Sequence, residues 1–319
     1  MESGIALCRR FYNEVVRPQL DGPHSAALIG RGSEVLGYDD AMSTDHNCEA
    51  RVALFVPPGV SVEPDVPEVF DGRPALVEVH TVRAYFRSKL GFDPDAKLTA
   101  ADWLTFPEDH LLMYTAGAVF HDDLGLQDVR DRLAYYPDDL WRYLMIAGWW
   151  RVHPEMNNTG RSGYVGDELG SAMTAARLVR DLMHLCFLIE RTYAPYPKWF
   201  GTAFRRLPCG PELSPLLQDV VRTSTWQQRG EALMAAYRAV GELHNRRGIT
   251  QPVKLEVGAL WDRPFEVVWG DFPGALSATI EDPAVRRIAD RWPTGGIDQV
   301  REVLHRVDER RQLLSLLEA

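Results

Sequence analysis

The 319 residues are enough for two domains of ordinary size, and apolar and charged fractions of 45% and 25% are those of a globular chain. A net charge of −10 excludes a nucleic-acid binder that works through a large basic surface, while leaving room for a local basic pocket around a small anion. No apolar run approaches the roughly 20 residues that span a bilayer and the opening "MESGIALCRRFYNEVV" is unlike a signal peptide, so no membrane partner is expected and the expected location is cytoplasmic.

In chain order, Leu7, Phe11, Val15 and Val16 recur at helical spacing between Gly4 and Leu20, with Pro18 near the end, and predict one amphipathic helix. Three short apolar runs follow: "SAALIG" (Ser25 to Gly30), "EARVALFV" (Glu49 to Val56) and "PALVEVHTV" (Pro74 to Val82). Each is bounded by Gly, Pro or Asp, as strands are, and a small sheet is expected in the first third. From "LTAADWLTF" the pattern changes, because Thr99 with Asp102 three residues on is a helix-start capping signal. Helices are predicted over Ala101 to Ala118, Leu126 to Tyr135, Asp138 to Val152, Glu168 to Tyr193, Arg229 to His244 and Gly296 to Leu317, with a strand or two in Pro252 to Phe272. The fold class is therefore α+β: a sheet domain over 1–98 and a mainly helical domain over 99–319, with the boundary between Leu90 and Ala101. Four widely spaced cysteines without a CxxC pair signal neither a disulfide framework nor a structural zinc site.

The chemistry concentrates where "ALIGRGS" runs from an apolar strand into Gly30, Arg31, Gly32 and Ser33. Glycines there let the backbone approach a ligand and present amide N–H groups to phosphate oxygens, and Ser33 adds a hydroxyl. After eleven intervening residues stands Asp45, with Asn47 two further on and so on the same side of an extended chain. Two same-side oxygen donors suit a magnesium ion. Glu78 in "LVEVHTV" is an acid among Val and Leu, on one strand face with Leu76 and His80; a third metal ligand and an edge residue facing water are both open readings.

In the helical part, Arg177, Asp181 and His184 form a polar stripe at i, i+4 and i+7 on an otherwise apolar helix. The stripe reads either as an internal salt bridge with a satisfied histidine or as a cleft-facing group in which Arg177 meets phosphate and Asp181 acts as a base. "YAPYPKWFG" presents Tyr196, Lys198 and Trp199 on a proline-stiffened loop, a phosphate or adenine contact or a packed interdomain loop. "VFHDDLG" contains the His121-Asp122 pair seen in metal phosphohydrolases, although a helix-ending turn explains it more simply. "GRSGYVGDELGS" is glycine-rich, with Asp167 and Glu168 placed for a helix start or for a loop over the cleft.

Together with "TVRAYFRSKLGFDP", "LTFPEDHLL", "LAYYPDDLWRYL", "RLVRDLMHLCFLIERTYAPYPKWFGTAFRRLPC" and "DRPFEVV", these strings resemble the bacterial family called domain of unknown function 4037, itself similar to the nucleotidyltransferase superfamily. The resemblance implies a nucleotidyltransferase-like α+β domain followed by a helical domain, and it implies no particular substrate. It also exposes a departure. Where the family pattern reads Asp-His-Asp-Trp-Gly-Pro-Arg, this chain has Asp45, His46, Asn47, Cys48, Glu49, Ala50 and Arg51, so four of seven positions differ. The superfamily's metal-chelating carboxylate pair is reduced to Asp45 and a neutral Asn47.

Two functions are carried forward. The first is an enzyme that moves a nucleotidyl group, AMP from ATP above all, from a nucleoside triphosphate to a small-molecule acceptor. In it Gly32, Ser33, Arg177 and Lys198 hold the nucleotide, Asp45, Asn47 and Glu78 hold weakly bound magnesium, and Asp45 and Asp181 are catalytic. The second is a degenerate member that binds a nucleotide or small anion without turnover, or runs different chemistry in the inherited cleft.

Overall fold

The structure, a computed structural model, describes residues 2–40, 49–291 and 295–299. The expected helix over Gly296 to Leu317 lies almost wholly outside them. The chain divides into two compact units, one built from residues up to Tyr135 and the other from Tyr136–Gln299. No helix of the described residues is long and apolar enough to cross a membrane.

The first unit is a mixed sheet with helices. Helix α1 (Gly4–Phe11) starts where the Ser3 hydroxyl accepts the Ala6 N–H at 3.3 Å, and the chain coils on through a π-helical turn (Tyr12–Val16) and a 3-10 turn (Arg17–Gln19). Strands β1 (Ser25–Leu28), β2 (Ala50–Phe55), β3 (Val69–Phe70), β4 (Arg73–His80) and β5 (Ala118–Asp122) are ordered β3-β4-β2-β1-β5. β1 runs antiparallel to both β2 and β5, whereas β4 runs parallel to β2 and brings Glu78 beside Ala53. Alternation divides the faces as the sequence implies. Ala50, Val52, Leu54 and Val56 join Phe11, Tyr12 and Val16 in one core, with Ala75, Val77 and Val79 packed against it. Burial of each larger side chain in that core contributes about 1.5–3 kcal/mol.

The remainder of this unit comprises α2 (Val82–Lys89), α3 (Ala100–Leu104), α4 (Glu108–Thr115) and α5 (Leu126–Arg132). Thr99 and Asp102 form the expected capping box. The single helix predicted over Ala101 to Ala118 is two, divided at Pro107, whose ring blocks continuation and sits at the N-cap of α4. The compact unit extends past the expected Leu90–Ala101 boundary because β5 returns to pair with β1.

The second unit is mainly helical: α6 (Asp138–Val152), α7 (Asn158–Tyr164), α8 (Glu168–Ile189), α9 (Pro197–Arg206), α10 (Gly210–Arg222), α11 (Trp226–Arg246), α12 (Phe272–Ser277) and α13 (Pro283–Arg291), with a hairpin of β6 (Glu256–Ala259) and β7 (Glu266–Trp269). Helix α8 packs on α6, α7, α10 and α11 and is the central helix expected of it. Its first turns differ from expectation: Leu169 and Met173 are 73% and 66% exposed, and the buried stripe begins at Ser171 and Ala175. Of the glycine-rich segment Gly160–Ser171, the first residues belong to α7, where Gly163 lies so close to Trp226 that a Cβ there would overlap the indole, and the last ones open α8. Asp167 caps α8 by accepting the Gly170 N–H at 2.7 Å, as its helix-start reading requires.

Candidate anion site and a histidine-aspartate cluster

Strand β1 ends in the turn Gly30–Ser33, with Gly30 at φ 96° and Gly32 at φ 141°, conformations that glycine alone adopts freely. The turn is tied down at both ends. The Gly30 N–H donates to the Met113 carbonyl at 2.9 Å, and the Ser33 carbonyl accepts the Tyr38 N–H at 2.9 Å.

The group facing the turn is one that the sequence reading passed over. Arg51, on β2, donates from Nη1 to the Ile29 carbonyl at 3.3 Å, from Nη2 to the Arg31 carbonyl, and from Nε and Nη2 to Glu34 Oε1 at 3.2 and 2.8 Å. Its side chain is 13% exposed and that of Glu34 8%. The Glu34 carboxylate folds back over Gly32 and fills the space that any Cβ at position 32 would need. Burial pushes the Glu34 carboxyl up, and Arg51 opposes that shift. The turn therefore already holds an anionic group against a guanidinium, drawn from the protein itself. An arginine inside the apolar run "ARVALF" was the sequence signal for it.

Asp45 and Asn47 lie outside the described residues. Glu78 is exposed on β4, on the face away from the α1 core. The parallel register pairs Leu76 with Arg51 and Glu78 with Ala53. Two residues along and one strand across place Glu78 about 8 Å from Arg51, Cα to Cα, on the same face. Next to it, His80 and Phe55 pack on Tyr85 with ring centroids 5.1 and 5.3 Å apart, and burial holds the His80 imidazole below its usual range.

In the helical unit the stripe on α8 resolves into three separate contacts. Arg177 pairs with Glu155 at 2.6 Å, with side chains 50% and 34% exposed, so it is not the buried core pair that one reading required. Asp181, 3% exposed, pairs through Oδ1 with Arg151 at 3.0 Å, and its Oδ2 has no hydrogen-bond partner among the described residues. His184 packs tilted against Phe200 with centroids 4.5 Å apart. Lys198 is exposed and lies over the Trp199 ring at 4.8 Å, and the Trp199 indole donates to the Tyr196 hydroxyl at 3.0 Å. The proline-rich stretch is a loop only as far as Tyr196, because Pro197 opens α9 at its first position. Gly32 and Ser33 belong to the first compact unit and Arg177, Asp181 and Lys198 to the second.

Burial pushes the Asp181 carboxyl up, and Arg151 pulls it only part of the way back. A folded value above the unfolded one means that the native state binds the proton more tightly, so stability falls as pH rises through the folded value. Asp181→Asn is accordingly expected to flatten the dependence of melting temperature on pH above the ordinary carboxylate range, with its largest relative gain at the alkaline end. A variant that melts in parallel with the wild type throughout would remove the buried charge as the cause.

"VFHDDLG" contains two different aspartates. Asp122 Oδ1 accepts the Ser25 hydroxyl at 2.6 Å and the Leu126 N–H at 3.0 Å, and Oδ2 accepts the Gln127 N–H at 2.8 Å. It caps the start of α5, so the turn begins a helix rather than ending one. Asp123 instead accepts from His121 Nε2 at 2.7 Å, and His121 stacks on His24 with centroids 4.4 Å apart. His24, His121 and Asp123 each offer a ligand atom within 4.8 Å of the others, the one such histidine-aspartate group among the described residues.

No curated protein matches the chain. Among solved structures, a nucleotidyltransferase-like protein from Exiguobacterium sibiricum 255-15 is similar at 12% identity, over 83% of this chain and 97% of that one, with a TM-score of 0.35, too slight a likeness to carry an argument. Residues 103–200 match the family described as "Domain of unknown function (DUF4037)", so the family that the sequence strings resemble is found in this segment of the chain.

Proposed function

We propose that the protein is a nucleotidyltransferase-like enzyme that holds a nucleoside triphosphate at the Gly30–Ser33 turn and transfers its nucleotidyl group, AMP from ATP, to a hydroxyl of a small molecule. The observation that carries this reading is Arg51 spanning a turn of positive-φ glycines with an anion already against it. A phosphate oxygen that takes the place of the Glu34 carboxylate would meet the same guanidinium and the same open glycine backbone. In the reaction the acceptor oxygen bonds to the α-phosphorus, the bond from that phosphorus to the bridging oxygen breaks, and pyrophosphate leaves with the electron pair. The acceptor's proton passes to a general base and from it to solvent.

Asp45, the Asn47 amide and Glu78 supply oxygen donors only, the kind a hard cation takes, and Glu78 is exposed enough to reach one. Magnesium bound there would neutralise triphosphate charge. A second reading has its own support: Asn47 in place of a carboxylate, and Glu34 filling the turn, favour a protein that binds an anion without turnover.

Calorimetric titration of the full chain with nucleoside triphosphates, with and without magnesium, separates the readings when paired with a search for released pyrophosphate. Binding without pyrophosphate from any acceptor favours the second reading, and no binding of any triphosphate overturns the first. Arg177→Ala, in the helical unit, is expected to leave the melting curve nearly unchanged, because an exposed pair of this kind contributes about 0–1 kcal/mol.

A further inference from the structure

We propose that His24, His121 and Asp123 form a site for a divalent transition-metal ion, apart from the anion site. His24 directly precedes β1 and Asp123 directly follows β5, and the antiparallel pairing of these strands brings the three residues to one end of the sheet. The Gly30–Ser33 turn is at the other end of β1, roughly 20 Å away at about 3.3 Å per residue.

The three ligand atoms lie within 4.8 Å of one another. Bonds of about 2.0–2.2 Å to a tetrahedral zinc ion need these atoms roughly 3.5 Å apart, so small side-chain rotations complete the site.

The imidazoles are prepared for this. His24 Nδ1 is 2.9 Å from the Gly22 carbonyl and donates to it, which leaves the lone pair on Nε2. A ring nitrogen anchored on a backbone carbonyl is how metal-binding histidines are oriented. His24 Nε2 now accepts the Tyr12 hydroxyl at 2.8 Å, a contact that an ion would replace. The proton between His121 Nε2 and Asp123 Oδ2, 2.7 Å apart, is the second place where an ion would enter. Asp123 is tied to His24 by backbone as well: its Oδ2 accepts the His24 N–H at 3.3 Å, and its own N–H donates to the His24 carbonyl at 3.0 Å.

His24 is 7% exposed, whereas the side chains of His121 and Asp123 are 33% and 43% exposed. The group is thus walled on one side and open on the other, leaving a fourth position to water. Two imidazoles and one carboxylate favour zinc or cobalt over magnesium, which takes oxygen donors.

Cobalt(II) titration of the full chain, followed by visible absorption and then by competition with zinc or magnesium, tests the site. The wild type is expected to take up one equivalent with a tetrahedral spectrum that zinc abolishes and magnesium does not. Asp123→Asn should weaken cobalt binding by at least about tenfold, and His121→Ala with Asp123→Asn by at least about 100-fold, since loss of an outer-shell partner alone costs 10–100-fold. Both positions are open to solvent, and unchanged melting of the metal-free variants will show that the fold is kept. Equal cobalt affinity in the wild type and the double variant, or no uptake by the wild type, would overturn the proposal.

Discussion

Arg51→Ala is expected to destabilise the sheet unit by about 3–5 kcal/mol, the range for a buried ion pair that has lost one partner. The loss has two sources. The Glu34 carboxylate stays buried without its counter-charge, and the Ile29 and Arg31 carbonyls lose their donors. For a unit of this size the melting transition should fall by roughly 10–20 °C. Glu34→Gln in the same chain should recover much of that loss, because an amide is far cheaper to bury than an unpaired carboxylate. The sign of the pH dependence separates this account from simple loss of packing. Burial already raises the Glu34 carboxyl, so its contribution weakens as pH rises through the folded value. Without Arg51 that value moves higher still, and Arg51→Ala should be most damaging at alkaline pH and least near pH 5. A defect of constant size across pH, unrelieved by Glu34→Gln, would mean that the guanidinium stem and not the ion pair holds the turn.

The same variant bears on binding. If phosphate displaces Glu34 from Arg51, Arg51→Ala loses triphosphate affinity even at temperatures where the fold is intact. Glu34→Gln should gain affinity, because a neutral amide competes less well for the guanidinium. Opposite signs at two residues in direct contact would be hard to obtain from a shared loss of stability.

Elements whose local pattern agrees with their packing were legible in the sequence. β2 alternates Ala50, Val52 and Leu54 toward α1 with Arg51 and Ala53 on the other face, and the capping box at Thr99 is local by nature. β5 was not legible, because its residues Ala118–Phe120 are all half-buried and show no alternation; only its pairing with β1 makes it a strand. Proline misled in both directions. Pro107 divides a predicted helix, while Pro197 opens one and Pro215 sits inside α10, where the period alone would not place it. At the candidate site, the Gly30–Ser33 turn could be read because positive φ selects glycine. The Arg51–Glu34 pair could not, since its partners are 17 residues apart and meet only when β2 lies beside the end of β1. Asp181 shows the same limit. Its helix neighbour Arg177 was the natural partner by spacing, yet the fold gives it Arg151 from α6.

Asn47→Asp is expected to strengthen magnesium-dependent triphosphate binding by at least about tenfold, which corresponds to about 1.4 kcal/mol. The argument rests on charge. At about 4 Å and an effective dielectric near 20, two unit charges attract by roughly 4 kcal/mol, so a carboxylate attracts a divalent ion by roughly 8 before desolvation. Most of that gross gain is cancelled by the water the ion gives up, and a few kcal/mol remain. With Asn47 the natural chain offers Asp45 and Glu78 as its charged donors, and it should bind magnesium weakly in the absence of nucleotide. The substitution restores the acid of the family pattern without touching Arg51, so magnesium-independent affinity should stay where it was. Calorimetry of both proteins with ATP, with and without magnesium, reads the two effects separately. A gain confined to the magnesium arm, with pyrophosphate release appearing or rising, would mean that the natural chain has a weakened transferase site. Equal affinities in both arms would mean that position 47 does not meet the metal, and the anion site at Gly30–Ser33 would then serve binding without transfer.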